Sequence, residues 1–336
     1  MEDFVAVLIQ PPGIGMSGNL AFSRERSLPG TPHIAILMCT YNGAGFLAQQ
    51  LDSFERQVYR NWTLHVSDDG SQDATHLVLE EYFRQWGALR IRVVDGPRAG
   101  FARNFLSLTC RADIDADYFA WSDQDDIWSA DKLQVAVDWL DGIPREVPAL
   151  YCGRTQIICE EGEPRGLSPH FSLPPHFKNA LVQSIGGGNT MVFNQAARAL
   201  IVEAGGSLAV PAHDWWCYQL VTGAGGVVHY DPQPRVYYRQ HGKNVIGSNT
   251  GWCARLRRLG MVFQGRFYEW NAQNIRALES MSHRLSKDHR KTLELFKTAR
   301  KRSLPGRVVY LFKAGLHRQT LLGNLGLLLA TLLKKI

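Results

Sequence analysis

A chain of 336 residues, 45% hydrophobic and 20% charged, carries enough apolar material for one large α/β domain with an appendage, or for two domains, and disorder is not its default. The net charge of +6 conceals a split: from Gly251 onward about 18 Lys and Arg stand against about 4 Asp and Glu, so the preceding part is acidic and the tail is a basic arm. Six cysteines without a C-x-x-C pair exclude a small disulfide-stapled scaffold and point to reduced thiols in a cytosolic protein.

Residues 1 to about 31 lack the basic leader and apolar length of a secretory signal and read as a poorly ordered extension. His33 to Cys39 is a short apolar run ending at Thr40-Tyr41-Asn42-Gly43, the pattern of a strand buried on both faces that stops at a turn. Leu47, Leu51 and Phe54 then fall at helical spacing, and Thr63 to Ser67 reads as a second strand, so the two strands pair in parallel. That strand delivers Asp68-Asp69-Gly70-Ser71-Gln72-Asp73. Ser71 or Asp73 is a natural cap for the helix predicted over Ala74 to Gln85. A third strand over Ile91 to Val94 leads through Arg98 and Gly100 into a helix with Phe101, Phe105 and Leu108. The fourth strand, Tyr118 to Trp121, ends at Ser122-Asp123-Gln124-Asp125-Asp126-Ile127-Trp128.

Three carboxylates within four residues repel one another unless solvent or a cation neutralises them. A solvated acidic turn is one reading. An oxygen-ligated site for Mg²⁺ or Mn²⁺, open to a substrate diphosphate, is the other. In an open parallel sheet the polar segments at the carboxyl ends of strands share one rim, where ligands bind, so Tyr41, Asp68, Asp69 and Asp123 to Asp126 are expected to converge there.

Farther on, Lys132 to Leu140 fits a helix, while Ala149 to Gly153 and Gln156 to Cys159 fit two short strands. Leu167 to Lys178 is irregular and is a candidate acceptor-side loop. Ile185-Gly186-Gly187-Gly188-Asn189-Thr190, leading into Met191 to Phe193, reads as a plain turn or a phosphate cradle; no P-loop Lys follows it. His213-Asp214-Trp215-Trp216 opens a helix, where an Asp is ordinarily an N-cap. Arg235 to Arg239 resembles a strand ending on Gln240-His241-Gly242-Lys243-Asn244. The tail reads as helices. Thr320 to Leu333 is apolar over about 14 residues, short of a bilayer span, and basic residues flank it. That pattern suits an interfacial anchor on an anionic leaflet or a core helix packed on the domain; no nucleic-acid motif accompanies the charge.

Taken together, Cys39 to Gly43, Ser67 to Asp73, Gly100-Phe101-Ala102-Arg103-Asn104-Phe105, Ser122 to Trp128, His213 to Trp216 and Tyr238 to Asn244 resemble the family 2 glycosyltransferases, and among them the bacterial rhamnosyltransferase-type members. The resemblance covers residues 33 to about 247 and implies a GT-A fold: an α/β, Rossmann-like, mostly parallel sheet flanked by helices, here with a basic helical C-terminal extension. With the composition of the two ends, the chain divides into a poorly ordered extension (1–31), a GT-A catalytic domain (32–247) and a basic helical region expected to associate with membrane (248–336). The resemblance implies that Tyr41 and Asp69 hold the pyrimidine base of a sugar nucleotide, with Asn42, Arg98, Arg103 and Asn104 on the nucleotide side. Asp123 and Asp125 form the D-x-D element, Asp125 on the metal and Asp123 on the metal or nucleotide. His241 completes the metal or diphosphate site.

The resemblance also makes Asp214 the general base, and independent chemistry agrees. Inverting transfer needs one carboxylate to take the acceptor's proton opposite the departing diphosphate, without the covalent intermediate that demands a second. His213, Trp215 and Trp128 are expected on the acceptor side, although many family members have Glu where His213 stands. The reading is a metal-dependent inverting glycosyltransferase at the cytoplasmic membrane face, moving L-rhamnose from dTDP-L-rhamnose to a surface-polysaccharide or lipid-linked acceptor, with no nucleic-acid partner. Alternatives are a UDP-hexose or UDP-N-acetylhexosamine donor, a non-catalytic nucleotide-sugar-binding protein, and a nucleotidyltransferase.

Overall fold

The structure is a computed structural model in which residues 30–242 and 266–336 are described. The proposed extension, except for Gly30 and Thr31, lies outside them, as do Lys243, Asn244 and Cys253.

The expected succession of strands and helices is present: β1 (Ile34–Thr40), α1 (Leu47–Glu55), β2 (Trp62–Asp68), α2 (Thr75–Trp86), β3 (Ile91–Asp95), α3 (Phe101–Thr109) and β4 (Tyr118–Ser122). All seven residues of β1 are buried, and their alternation explains why the strand is apolar throughout. Ala35, Leu37 and Cys39 enter one core; Ile34, Ile36 and Met38 enter the core on the opposite face. Strands β3, β2, β1 and β4 pair in parallel in that order. Their carboxyl ends therefore lie on one rim, which carries Tyr41, Asp69 and the acidic cluster.

Beyond β4 come β5 (Ile127–Trp128), α4 (Lys132–Leu140), β6 (Ala149–Ile158), β7 (Pro164–Leu167), α5 (Phe177–Ala180), a 3₁₀ turn (Gly188–Thr190), β8 (Val192–Asn194), α6 (Gln195–Ala204), α7 (His213–Gly223) and β9 (Val227–Arg239). The sheet continues as β4-β8-β6-β9-β5, with β7 on β6, and here the short pairings are antiparallel while β6 and β9 run parallel. The two strands expected over 149–159 are one. Polar Arg154 to Gln156 mask its continuity, and the register shifts there because Pro232 and Pro234 of β9 cannot donate to the ladder.

The tail forms α8 (Arg266–Ser280), α9 (Lys287–Lys301), α10 (Leu304–Ala314) and α11 (Leu321–Leu332). These helices pack on the body: Leu278, Phe296, Leu311 and Ala330 belong to the same core as Leu37 and Trp121. At Gly223, a Cβ would stand 2.6 Å from Leu285, so only glycine lets α7 meet the tail this closely. Polar contacts add to the seam, including Asn179 Nδ2 to the His317 carbonyl (3.1 Å) and Gln319 N to Gln183 Oε1 (2.8 Å). Among the described residues no helix is long and apolar enough to cross a membrane.

Candidate active site

The turn after β1 and the loop after β4 are clamped together by Gln124. Its Oε1 accepts from the Tyr41 N–H (2.9 Å) and its Nε2 donates to the Tyr41 carbonyl (3.0 Å). A Cβ on Gly43 would come within 2.1 Å of Gln124 Oε1, so glycine is required for that approach. The clamp leaves the Tyr41 ring 58% exposed on the rim. Asn42, at φ 50, links the β1 and β2 loops instead of reaching outward: its N–H donates to Ser71 Oγ (2.8 Å) and its Oδ1 accepts from Gln72 N (2.8 Å). Buried Asp68 organises the second loop, accepting from Thr40 Oγ1, Gly70 N, Ser71 N and Ser71 Oγ. Ser71 is therefore not the cap of α2; Asp73 Oδ1 accepts from Thr75 N in that capacity, although the residue at the cap position itself is Ala74.

Asp69 receives Gly100 N–H on Oδ2 (2.9 Å), while its Oδ1 is buried and has no partner among the described residues. A buried carboxylate oxygen left open is suited to an N–H donor from a ligand. Arg98, at φ 52, lies beside Gly70, and Arg103 is exposed on α3. Asn104 differs from its expected place on the nucleotide side. It is 1% exposed, and Ser67 takes both ends of its amide: the hydroxyl donates to Oδ1 (2.5 Å) and Nδ2 donates to the carbonyl (3.0 Å). It fixes α3 to the end of β2.

The acidic cluster divides as the chain leaves β4. Asp126 turns inward, fully buried, and accepts from Asn189 Nδ2 and Arg239 N (3.2 Å). Burial, followed by the charges of Asp125 and Asp123, raises its pKa. The amine of buried Lys132 has no hydrogen-bond partner among the described residues and sits 3.4 Å from the Trp128 ring centroid; burial, against the opposing charge of Asp126, pushes its pKa down to about 7. Asp125 turns outward, with Oδ2 2.7 Å from His241 Nε2, across 116 residues of sequence. Arg239, two residues before His241, holds this loop in place: Nε donates to the Asp125 carbonyl (3.1 Å) and Nη2 to Gln49 Oε1 (2.7 Å). Burial, then the nearby negative charges of Asp125 and Asp214, raises the pKa of Asp123 to about 8. No cation is within ion-pair distance of Asp123 among the described residues.

Asp214 lies in the first turn of α7, so its position is not the N-cap, which is Ala212. Its carboxylate takes Trp215 N on Oδ1 (2.6 Å) and Gly188 N on Oδ2 (3.2 Å). The Gly-rich segment thus serves as a close-packed turn that donates to the carboxylate. A Cβ on Gly188 would meet His213 Nε2 at 2.3 Å. Burial raises the pKa of Asp214 to about 6 against those two donors.

Three residues expected on the acceptor side are core residues. Trp128 is 2% exposed and packs edge-on against Phe54 at 4.6 Å. Trp215 is 7% exposed and donates its Nε1–H to the Ala180 carbonyl (2.7 Å). His213 is 4% exposed, stacked on Phe105 at 4.0 Å with both ring nitrogens unpartnered; burial holds its pKa at about 3. In each case an aromatic face finds more apolar area to bury between sheet and helix than it would on the rim.

A bound divalent ion is a matter of fit. Among the described residues no three His, Cys, Asp or Glu side chains gather as a closed metal cage. Asp125 and His241 make a pair, and Asp123 experiences like-charge repulsion that a cation would relieve. Two protein ligands with a neighbouring carboxylate fit an ion such as Mg²⁺ that keeps waters and takes phosphate oxygens from its substrate.

The family model described as Glycosyl transferase family 2 matches residues 35–204, half of the chain. A Shigella flexneri relative, dTDP-rhamnosyl transferase RfbG, is 27% identical over 238 residues, covering 67% of this chain and 78% of its own. An Escherichia coli relative, the UDP-Glc:alpha-D-GlcNAc-diphosphoundecaprenol beta-1,3-glucosyltransferase WfgD, is 29% identical over 107 residues, covering 32% of this chain and 40% of its own. Among solved structures, S. aureus TarS residues 1–349 in complex with UDP-GlcNAc shares the fold at a TM-score of 0.51 and 13% identity, over 84% of this chain and 89% of that one.

Proposed function

Because this chain belongs to glycosyl transferase family 2, and so is a glycosyltransferase of GT-A fold, we propose that it performs metal-dependent inverting transfer of L-rhamnose from dTDP-L-rhamnose to a bacterial surface-polysaccharide or lipid-linked glycan. The observation that carries the reading is the 2.7 Å approach of His241 to Asp125, which brings the end of β9 to the acidic cluster after β4. In this reading Tyr41 stacks on the pyrimidine and the open Oδ1 of Asp69 accepts its imide N–H. Arg98 and Arg103 line the nucleotide side in this proposal. Asp125 and His241, with Asp123, hold Mg²⁺ or Mn²⁺, which when bound supplies positive charge for the departing diphosphate.

Asp214 is the base. Its ionisation near pH 6 leaves it deprotonated at neutral pH yet far stronger than an ordinary carboxylate. The N–H groups of Trp215 and Gly188 fix its two oxygens, so the proton is taken by a carboxylate that needs no reorientation. A pyrimidine imide is common to dTDP and UDP, and the names of RfbG and WfgD divide along that line; a UDP-hexose is therefore the second donor reading. Residues 32–247 form the catalytic unit in this proposal. Residues 248–336 place it on the inner face of the cell membrane through the leucines that α11 leaves exposed.

The deciding experiment screens the purified chain with Mn²⁺ against nucleotide sugars by thermal shift and donor hydrolysis. At a hundredfold excess over Kd, a donor adds about 2.7 kcal/mol of stability, which raises Tm by several degrees. dTDP-rhamnose is expected to give the largest shift. A panel without a shift or turnover for any donor overturns the assignment.

A further inference from the structure

Helices α10 and α11 bury one side and leave the other apolar. On α11, Leu327, Ala330 and Thr331 are buried, while Leu321, Leu325, Leu329 and Leu332 are exposed at helical spacing, from 79% at Leu321 to 40% at Leu329. On α10, Val309 and Phe312 are exposed, Phe312 by 70%. The residue after Phe312, Lys313, lines a separate cleft of about 360 Å³ between α5, α9 and α10. His176, Lys178, His289 and Lys291 also line it, with Asp288 as the single carboxylate among its described lining residues.

The cleft is electropositive and its described lysines lack acidic partners, Lys313 Nζ lying 5.4 Å from the Tyr310 ring centroid. Among the described residues, Lys178, Lys291 and Lys313 have no carboxylate within ion-pair distance, whereas Lys297, on the same helix as Lys291, has both Glu279 and Glu294. The histidines are oriented by their Nδ1 atoms. His176 Nδ1 accepts from Lys178 N (3.1 Å), which leaves Nε2–H as its free donor, and His289 Nδ1 lies 3.0 Å from the Gly223 carbonyl. Burial and then the charges of His289, Lys178 and His317 lower the pKa of His176, in keeping with a concentrated positive field. Several lysines and an N–H donor lining one cleft suit an anion such as a phosphate group, not an apolar ligand.

We propose that this cleft is a second anion site, apart from the rim, that holds the phosphate of a membrane-lipid headgroup while the leucine face of α11 and Phe312 enter the bilayer. The lipid source follows from place: α10 supplies both Lys313 to the cleft and Phe312 to the apolar face, so a headgroup reaching Lys313 comes from the surface that Phe312 meets. The inference rests on the membrane placement proposed for the tail, and its test separates the two.

Full-length protein is floated with phosphatidylcholine vesicles containing phosphatidylglycerol. The triple variant K178Q/K291Q/K313Q is expected to lose roughly tenfold or more of its partitioning. K178R/K291R/K313R should restore it, and R84Q/R145Q/R165Q, a charge-matched control on the body, should partition as wild type. The L321D/L325D variant should fail to float at all. If L321D/L325D floats as wild type, the membrane placement itself is wrong. If it fails but K178Q/K291Q/K313Q partitions normally, or loses no more than the control, the cleft site is wrong and the placement stands. A ³¹P NMR titration with glycerol 1-phosphate forms the soluble arm. Broadening that depends on the three lysines, with no effect of the triple variant on vesicles, would reassign the cleft to free phosphates and overturn the lipid source.

Discussion

Asp214→Asn is the sharpest test of the proposed chemistry, because it removes a proton acceptor while changing almost nothing in shape. Burial has lifted this carboxylate from an ordinary 3.8 to about 6. Two pKa steps correspond to about 3 kcal/mol of penalty on the charged form. The sign follows: the folded pKa lies above the unfolded one, so the ionised group costs stability at pH values above 6 and the cost disappears as pH falls below 3.8. At pH 7.5 the wild-type group is therefore charged, strained by burial and basic. Asn carries no charge, so the folded state is relieved of that penalty, but it loses one of its two acceptor oxygens, and either Trp215 N or Gly188 N goes unpaired, at about 1–3 kcal/mol. The two effects oppose, and Tm at pH 7.5 should move by only a few degrees. Activity should not be spared: loss of general base catalysis lowers kcat by about 10²–10⁴-fold. In the wild type, kcat/KM should rise with pH through an apparent pKa near 6, and the variant should lack that limb. The assay is sugar transfer from the donor found in the screen to a membrane-extract acceptor, with donor Kd by calorimetry as control. Turnover within threefold of wild type at unchanged donor Kd would refute the base assignment.

Other perturbations separate the site from its scaffold. Chelation of divalent ions, or Asp125→Ala, should abolish turnover and weaken donor binding at least tenfold, with Mn²⁺ restoring the chelated wild type only; metal-independent binding by calorimetry contradicts the role given to Asp125 and His241. Gly43→Ala places a methyl 2.1 Å from Gln124 Oε1 and displaces a flexible side-chain end, so donor affinity should fall severalfold with little change in Tm; equal affinity would mean the Tyr41 clamp is dispensable. Trp128→Ala should cost about 3–5 kcal/mol in urea denaturation, as a buried aromatic does, with KM for acceptor unchanged in the folded fraction. A raised acceptor KM without destabilisation would return Trp128 to the acceptor side. Gly188→Ala drives a methyl into His213, whose ring is wedged against Phe105, and should lower kcat by about tenfold or more through displacement of Asp214 while donor Kd holds.

The parallel half of the molecule was legible because a strand buried on both faces leaves a continuous apolar run, as β1 and β4 do, while β2 alternates Trp62, Leu64 and Val66 with Thr63, His65 and Ser67 in the period of a strand; each ends at a polar turn. The rim on which Tyr41, Asp69 and Asp123 to Asp126 stand follows from that alone. The antiparallel half was not so legible. Strand β9 spans 13 residues with two prolines and a polar middle, and β6 has charge at its centre, so neither shows its length in periodicity. The clamp by Gln124 and the anchoring by Arg239 leave no local signal, since an amide or guanidinium records nothing of a backbone partner 83 or 114 residues away.

By itself, the sequence determined which chemistry is available: carboxylates at strand ends, a carboxylate at a helix start, a histidine after the last strand, a basic tail with an apolar helix. Only the tertiary structure decided which of these meet. It turned Asp125 toward His241 and Asp126 inward, put His213, Trp215 and Trp128 in the core, and split the tail into a packed face and an exposed one. The reason is that burial is a property of two surfaces together. A residue's own chemistry says what it can do, but the free energy of removing its faces from water depends on what the rest of the fold brings against it.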